Sequence, residues 1–250
     1  MDKEIISLNN DLIKNIVKLQ QKKYRDKDKK FLLEGFKVIE EAFKDGIEIQ
    51  EVFVLKENAS KYSFLNLPLT LTTEPVLKKI STTDSPPDAV AVAKQKISSI
   101  EEIKDAQKIL LLENIKDVGN LGTIIRTAKA FSQGAIILLG DTADLYNPKC
   151  VRSSVGNLWK IPVVQIKSLE EFKRNFASYN KIATLPKSPN AINLRNFKPK
   201  QPYVVMFGAE AEGLSDELIN MATDKITIEI NKEVESLNLS VSVGIVLYAM

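Results

Sequence analysis

Along this 250-residue chain the spacing of apolar positions changes several times. Ile5, Leu8, Leu12, Ile16 and Leu19 recur at helical intervals, so residues 2–19 read as one amphipathic helix. Gln20–Lys30 interrupts that rhythm with a basic run that reads as a loop. Phe31–Glu34 is strand-like, Gly35–Lys44 helical, Glu51–Leu55 and Leu67–Leu71 strand-like, and Glu74–Ile80 a short helix. Ser81–Asp88 is turn chemistry, because Pro86 and Pro87 break any helix. Ala89–Lys94 reads as a last strand of this small α/β region. From Lys108 the pattern becomes regular. Ile109–Glu113, Ala135–Gly140, Ile161–Ile166, Lys181–Leu185, Tyr203–Gly208 and Lys225–Ile230 read as strands. Leu121–Phe131, Leu169–Ser178 and Ser215–Met221 read as helices between them, and an apolar helix closes the chain. Strands alternating with helices predict a mostly parallel sheet covered on both faces. The expected fold class is therefore α/β, with a small N-terminal domain over residues 1–97, a polar linker helix at 98–107 and a larger domain over 108–250.

Composition narrows the chemistry. No apolar run approaches the roughly 18–20 residues of a membrane helix, and the start, Met-Asp-Lys-Glu, lacks the pattern of a signal peptide. The cytoplasm is the expected location. A single cysteine, Cys150, excludes an intramolecular disulfide and a Cys-rich zinc site. The count of histidine is zero, which excludes Ser-His-Asp and Cys-His nucleophiles and His-ligated zinc. No metal is expected. Net charge is only +3, but its distribution is uneven. Between Lys14 and Lys37 nine basic residues face three acidic ones. Lys22, Lys23, Arg25, Lys29 and Lys30 within that run are candidates for phosphate contact. A solvated helix end accounts for the run equally well.

Three segments after strands carry candidate chemistry, where parallel sheets place their ligands. In ENIKDVGNLGTIIRTAKAF, Asn120 and Gly122 precede the expected helix and Arg126 lies one turn inside it. A helix start offers unpaired N–H groups to an anion, and arginine adds a planar fork of donors. Arginine is scarce, five against thirty lysines, so a position kept as arginine favours a fork over a point charge. The plain alternative is a capping Asn and a surface arginine. In FGAEAEGLSDEL, Gly208 and Gly213 flank Glu210 and Glu212, and Ser215 is placed to cap the next helix. Glycine-flanked loops of this kind also serve without any ligand. In ITIEINKEVESLNLSVSV, Ser236 and Asn238 are uncharged hydrogen-bonding groups before the final helix, and a helix cap is the alternative. No G-x-G-x-x-G follows a strand and no P-loop is present, which counts against dinucleotide enzymes and nucleotide hydrolases.

In this order and spacing, the segments resemble the SpoU (TrmH-like) family of RNA 2′-O-ribose methyltransferases, of the SPOUT superfamily. Asn120-x-Gly122-x-x-x-Arg126-Thr127-Ala128 is similar to its first motif, Gly208-x-Glu210-x-Glu212-Gly213-Leu214 to its second, and Ser236-Leu237-Asn238-Leu239-Ser240 to its third. Arg152-Ser153-Ser154-Val155-Gly156-Asn157 is similar to a further family stretch. Tyr24-Arg25, Phe31–Gly35 and Ser81–Pro87 are similar to the substrate-binding domain often fused ahead of the catalytic one. Val118-Gly119 stands where the family often has Asp-Pro, and Val243-Gly244 where alanines are usual. The resemblance implies a trefoil knot in the C-terminal domain, a homodimer and S-adenosylmethionine as cofactor. It implies that Asn120, Arg126, Glu210, Ser236 and Asn238 line the reaction site. Gly208, Ile228, Leu237, Glu212 and Gly213 would hold the cofactor, and Lys22, Lys23, Arg25, Lys29, Lys30 and Arg152 the RNA. Ribosomal RNA, with the large subunit favoured, is the implied substrate. A transfer RNA, a base in place of a ribose, and a non-catalytic RNA-binding protein of the same fold remain alternatives.

Overall fold

A computed structural model describes residues 3–188 and 190–250. Met1 and Asp2, where the expected first helix and the Met-Asp-Lys-Glu start begin, lie outside that range. The chain forms two compact units. One runs up to Lys96 and includes Asp144–Trp159; the other comprises Ile97–Ala143 and Lys160–Met250.

In the first unit, β1 (Lys3–Ile5) precedes α1 (Asp11–Lys18), α2 (Lys22–Asp28), β2 (Lys30–Glu34) and α3 (Phe36–Lys44). Next come β3 (Ile49–Leu55), β4 (Thr70–Thr72), α4 (Glu74–Ile80) and β5 (Ala89–Lys94). The sheet order is β1-β4-β3-β5-β2, with β2 and β3 antiparallel to β5 and the other pairs parallel. Residues 2–19 are not one helix. Ile5 pairs with Thr72, and Asn10 starts α1 by accepting the amide of Leu12 at 2.9 Å, as a polar cap does. Ile13 and Ile16 of α1 then pack with Leu77 and Ile80 of α4 in the core over the sheet. The basic stretch is also not a loop. It contains no Gly or Pro, its Lys, Arg and Asp residues tolerate helix, and α2 ends only where Lys29 turns left-handed at φ 53°.

The second unit begins with β6 (Lys108–Glu113), α5 (Val118–Ala130) and β7 (Ala135–Leu139). The helix α6 (Pro148–Ser154) that follows belongs to the first unit. Then come β8 (Val163–Ile166), α7 (Leu169–Asn175), β9 (Asn180–Thr184), β10 (Ile192–Asn193), β11 (Tyr203–Phe207), α8 (Asp216–Asn220), β12 (Asp224–Thr227) and α9 (Leu239–Ala249). The seven-stranded order is β10-β12-β9-β11-β6-β7-β8, every pair parallel. All five residues of β7 and of β11 are buried, as strands covered on both faces require. The expected linker helix is only a single 3-10 turn, Ile100–Glu102, closed by a Ser99–Glu102 capping box. Its first residue, Ile100, lies at the margin of the core, and Ile103, just after it, lies within the core.

This order sets the site. The chain runs outward through β6, β7 and β8, then returns to build β9 and β11 on the other side of β6. The reversal falls between β6 and β11, and the cavity of this unit opens at the carboxyl ends of β9, β11 and β12. The three candidate segments follow β6, β11 and β12.

Candidate active site

The first segment enters its helix earlier than its sequence suggests. Asp117, not Asn120, is the N-cap: its carboxylate accepts the Asn120 amide at 2.6 Å. Asn120 therefore sits in the first turn of α5 with its side chain free for other work. Its Nδ2 donates to Glu210 Oε1 at 2.6 Å, and its Oδ1 accepts Asn238 Nδ2 at 3.1 Å. Asn238 Oδ1 in turn caps α9, taking Ser240 Oγ at 2.6 Å and Ser240 N at 2.9 Å. The cap expected at Asn238 is thus present, and the same side chain also reaches Asn120. One polar chain links the loops after β6, β11 and β12. Because Asn120 gives one bond and receives another, its amide is held in one orientation.

The second segment folds back on itself. Gly213 N donates to Ala209 O at 2.9 Å. A Cβ on Gly208 would lie 1.9 Å from Gly213 backbone atoms, so only glycine fits. Ser215 caps α8 and donates its own amide to Glu113 Oε2 at 2.7 Å. Glu113 is buried at the end of β6, so a carboxylate from the central strand pins the loop that carries Glu210.

The loops after β11 and β12, with the end of β9, enclose a cavity of about 940 Å3, the size of a small-molecule site. Gly208, Glu210, Glu212 and Gly213 line it from one loop. Ile228, Ser236, Leu237 and Asn238 line it from the other. Asn120 meets its edge through Glu210, and Arg126 stands exposed two turns into α5, with no protein partner among the described residues. Thr227 also lines the cavity, and its buried Oγ1 has no hydrogen-bond partner. An orphaned hydroxyl beside apolar Leu214, Ile219 and Ile226 fits a ligand with both apolar and polar parts.

The proposed RNA contacts divide sharply. Lys22, Lys23 and Lys29 are exposed and Lys30 is half-buried. Lys23 Nζ lies over the Tyr24 ring, 5.8 Å from its centre. Arg25 is a correction: it is only 2% exposed. Its Nε donates to Asp144 Oδ2 at 3.0 Å, its Nη1 to Leu19 O at 2.7 Å, and its Nη2 also meets Asp144. No donor nitrogen is left over, so Arg25 holds the first unit together. Arg152 is half-buried against Glu34. Sequence reasoning missed Asp117, Glu113 and Ser240. Asp117 carried a signal, an acid three residues before Asn120 at a helix start; an acid ending the apolar run of β6 was a fainter one.

Residues 107–248 match the SpoU rRNA Methylase family, and residues 10–91 match the MRM3-like substrate binding domain. The chain belongs to the SpoU rRNA methylase family. It is similar to the 23S rRNA (guanosine(2553)-2′-O)-methyltransferase RlmP of Bacillus subtilis (strain 168), 30% identical across 98% of each chain. The crystal structure of an AdoMet-bound rRNA methyltransferase from Sinorhizobium meliloti superposes with a TM-score of 0.88 at 31% identity, covering 99% of this chain and 96% of that one. That of an RNA 2′-O ribose methyltransferase superposes at 0.83 and 30% identity, covering 98% and 97%. The SpoU match includes Asp144–Trp159, which pack with the substrate-binding unit.

Proposed function

We propose that this SpoU protein methylates a ribose 2′-hydroxyl of ribosomal RNA, with the large subunit favoured, using S-adenosylmethionine. The observation that carries the reading is the Glu210–Asn120–Asn238 chain at the cavity edge, which joins all three motif segments. S-adenosylmethionine supplies an electrophilic methyl group when bound. Gly208, Glu212, Gly213, Ile228 and Leu237 are the residues that would hold it, with the Thr227 hydroxyl available for one more bond. Asn120, Glu210, Ser236 and Asn238 orient the attacking ribose. The gain comes from alignment, which supplies on the order of 7–11 kcal/mol in well-oriented systems, so a chain without histidine suffices.

Arg126 clamps the phosphate beside the target and stabilises charge developing on the oxygen. A guanidinium carries only N–H donors and no acceptor site, so Arg126 acts as a clamp and not as the proton acceptor. Arg126→Lys keeps the charge and loses the fork, so methyl transfer should fall at least about tenfold, the worth of a charge-assisted bond, with cofactor affinity unchanged. Near-full transfer by this variant would show that charge alone is needed.

The same reading includes the trefoil knot, a homodimer and a cytoplasmic location, with Lys22, Lys23, Lys29 and Lys30 meeting RNA. Val241, Ile245 and Tyr248 support the dimer: they lie exposed along one side of α9, Tyr248 at 80%. Packing of α9 beside α5, with the Phe131 and Tyr248 rings 5.9 Å apart, supports a threaded C-terminal segment. No helix among the described residues is long and apolar enough to cross a membrane. The test is transfer of labelled methyl from S-adenosylmethionine to unmodified ribosomal RNA, followed by digestion to nucleosides. Label in a 2′-O-methylnucleoside is expected; label on a base, or in transfer RNA alone, overturns the assignment.

A further inference from the structure

Three stretches matched the family pattern yet lie outside the cavity: Phe31–Gly35, Ser81–Pro87 and Arg152–Asn157. In the first unit they meet at one point. Glu34, at the end of β2, has its side chain 1% exposed. Its Oε1 accepts Thr82 N at 3.0 Å and Thr82 Oγ1 at 2.9 Å. Its Oε2 accepts Arg152 Nη1 at 2.7 Å, and the same Nη1 donates to Thr82 Oγ1 at 2.6 Å.

The arithmetic of donors decides what this cluster is for. A guanidinium carries five N–H donors. Arg152 spends only Nη1, so Nε and both hydrogens of Nη2 have no protein acceptor among the described residues. Its side chain is 31% exposed. Arg25, in the same unit and also paired with an acid, is 2% exposed and uses all three nitrogens. A purely structural arginine in this unit therefore looks like Arg25, saturated and enclosed. Arg152 is anchored on one side and open on the other. The open side is the Nε–Nη2 edge, whose two parallel N–H groups fit two oxygens of a phosphate. A buried carboxylate holding the opposite side removes most of the rotamer entropy that a surface arginine loses on binding.

We propose that Arg152, held by Glu34 and Thr82, is a preorganised binding site for one backbone phosphate of the substrate RNA, with Glu34 as its positioning residue. The proposal rests on the reading of this protein as an enzyme acting on ribosomal RNA. It adds a phosphate contact on the substrate-binding unit that is separate from the lysines of α2.

The test measures affinity for an unmodified large-subunit rRNA transcript across a salt series, beside S-adenosylmethionine affinity by calorimetry. Arg152→Lys should weaken RNA binding about fivefold or more, and Arg152→Gln should also flatten the salt dependence by about one ion. Cofactor affinity should stay as in the wild type. Because a lone Arg152→Gln leaves Glu34 buried and uncompensated, the double variant Glu34→Gln/Arg152→Met serves as a second arm. It removes the charges together, keeps an acceptor for Thr82 and is expected to fold. It should show the same weakened, flatter RNA binding. Wild-type affinity and slope in a folded double variant would overturn the site. Wild-type protein that binds cofactor but no ribosomal RNA would instead overturn the functional reading beneath it.

Discussion

Gly208 gives the sharpest test of how the cavity is built. A Cβ there would sit 1.9 Å from both C and O of Gly213 and 2.2 Å from Leu214 N. Non-bonded carbons rest at about 3.5 Å or more, so the overlap is about 1.5 Å. The obstacles are backbone atoms and cannot swing away as a side chain would. Gly208→Ala must therefore open the loop by roughly that amount. Opening strains the Gly213–Ala209 bond of 2.9 Å, the Ser215–Glu113 bond of 2.7 Å and the Asn120–Glu210 bond of 2.6 Å. Two of these are to carboxylates, so losing all three costs about 3.5–7.5 kcal/mol within the loop. A misplacement of about 1 Å in a site of this kind costs on the order of 100-fold. We expect Gly208→Ala to weaken S-adenosylmethionine binding by about that factor in calorimetry, with the far-ultraviolet circular dichroism of the whole chain little changed. Gly213→Ala is the control. Gly213 has φ +70° but open space around its Cβ position, so it bears only the left-handed penalty of about 1–2 kcal/mol, and affinity should fall far less. If Gly208→Ala bound cofactor within about threefold of wild type, under 1 kcal/mol, the loop would not be packed as described.

Two further outcomes follow from buried groups. Arg25→Met strips the Asp144 carboxylate of its cation, leaving it the Tyr146 amide at 3.0 Å. Orphaning such an acid costs about 3–5 kcal/mol. Trp159, the single tryptophan, lies in the same unit and donates to Asp45 at 2.9 Å, so its fluorescence in urea reads the loss directly. Adding Asp144→Asn should restore part of it, and an unshifted transition for Arg25→Met would refute the structural role. Burial pushes the phenols of Tyr62, Tyr146, Tyr179 and Tyr203 above their usual range. The unfolded chain then releases those protons first, so their stabilisation is complete below about pH 10 and is lost as pH rises beyond it. Lys181 works the other way: burial lowers its pKa, so the folded chain sheds that proton first and gains stability as pH rises towards the usual lysine value. The four phenols outnumber it. Phenolate absorbance should rise together with loss of circular dichroism; full ionisation of all six tyrosines in a folded chain would contradict this.

The second unit was the more legible half, for a physical reason. Strands such as β7 and β11 are buried on both faces, so their sequences are continuous apolar runs, and their shortness and β-branched or aromatic content mark them as strands and not helices. Their expected bounds lie within a residue or two of those observed. The first unit misled where short elements depend on partners far along the chain. β1 is three residues long and exists because Ile5 pairs with Thr72; its apolar residue happened to fall in phase with α1. The one-turn helix at Ile100–Glu102 looked longer because its polar residues suit helix as well as loop. Among the site residues, Gly208, Glu210 and Asn238 were visible as strand-end chemistry. That Asn120 holds Glu210 with one end of its amide and Asn238 with the other was not visible, since 90 and 118 residues separate the partners.

The arginines show why residue type alone stops short of function. Their scarcity argued that a position kept as arginine favours a fork, and Arg25 grips Asp144 with Nε and Nη2 in that way, whereas Arg152 meets protein through Nη1 alone. One fork thus closes entirely on protein and the other only half. The difference lies in what surrounds them. Leu19 O and Asp144 converge on Arg25 from inside the first unit, whereas Glu34 and Thr82 reach Arg152 from one side and leave its far edge to solvent. Charge counting places the two together in one basic set. The count of satisfied donors separates the saturated Arg25 from Arg152, for which we propose a phosphate, and Arg126, exposed and with no protein partner among the described residues, keeps all its donors for the role proposed for it.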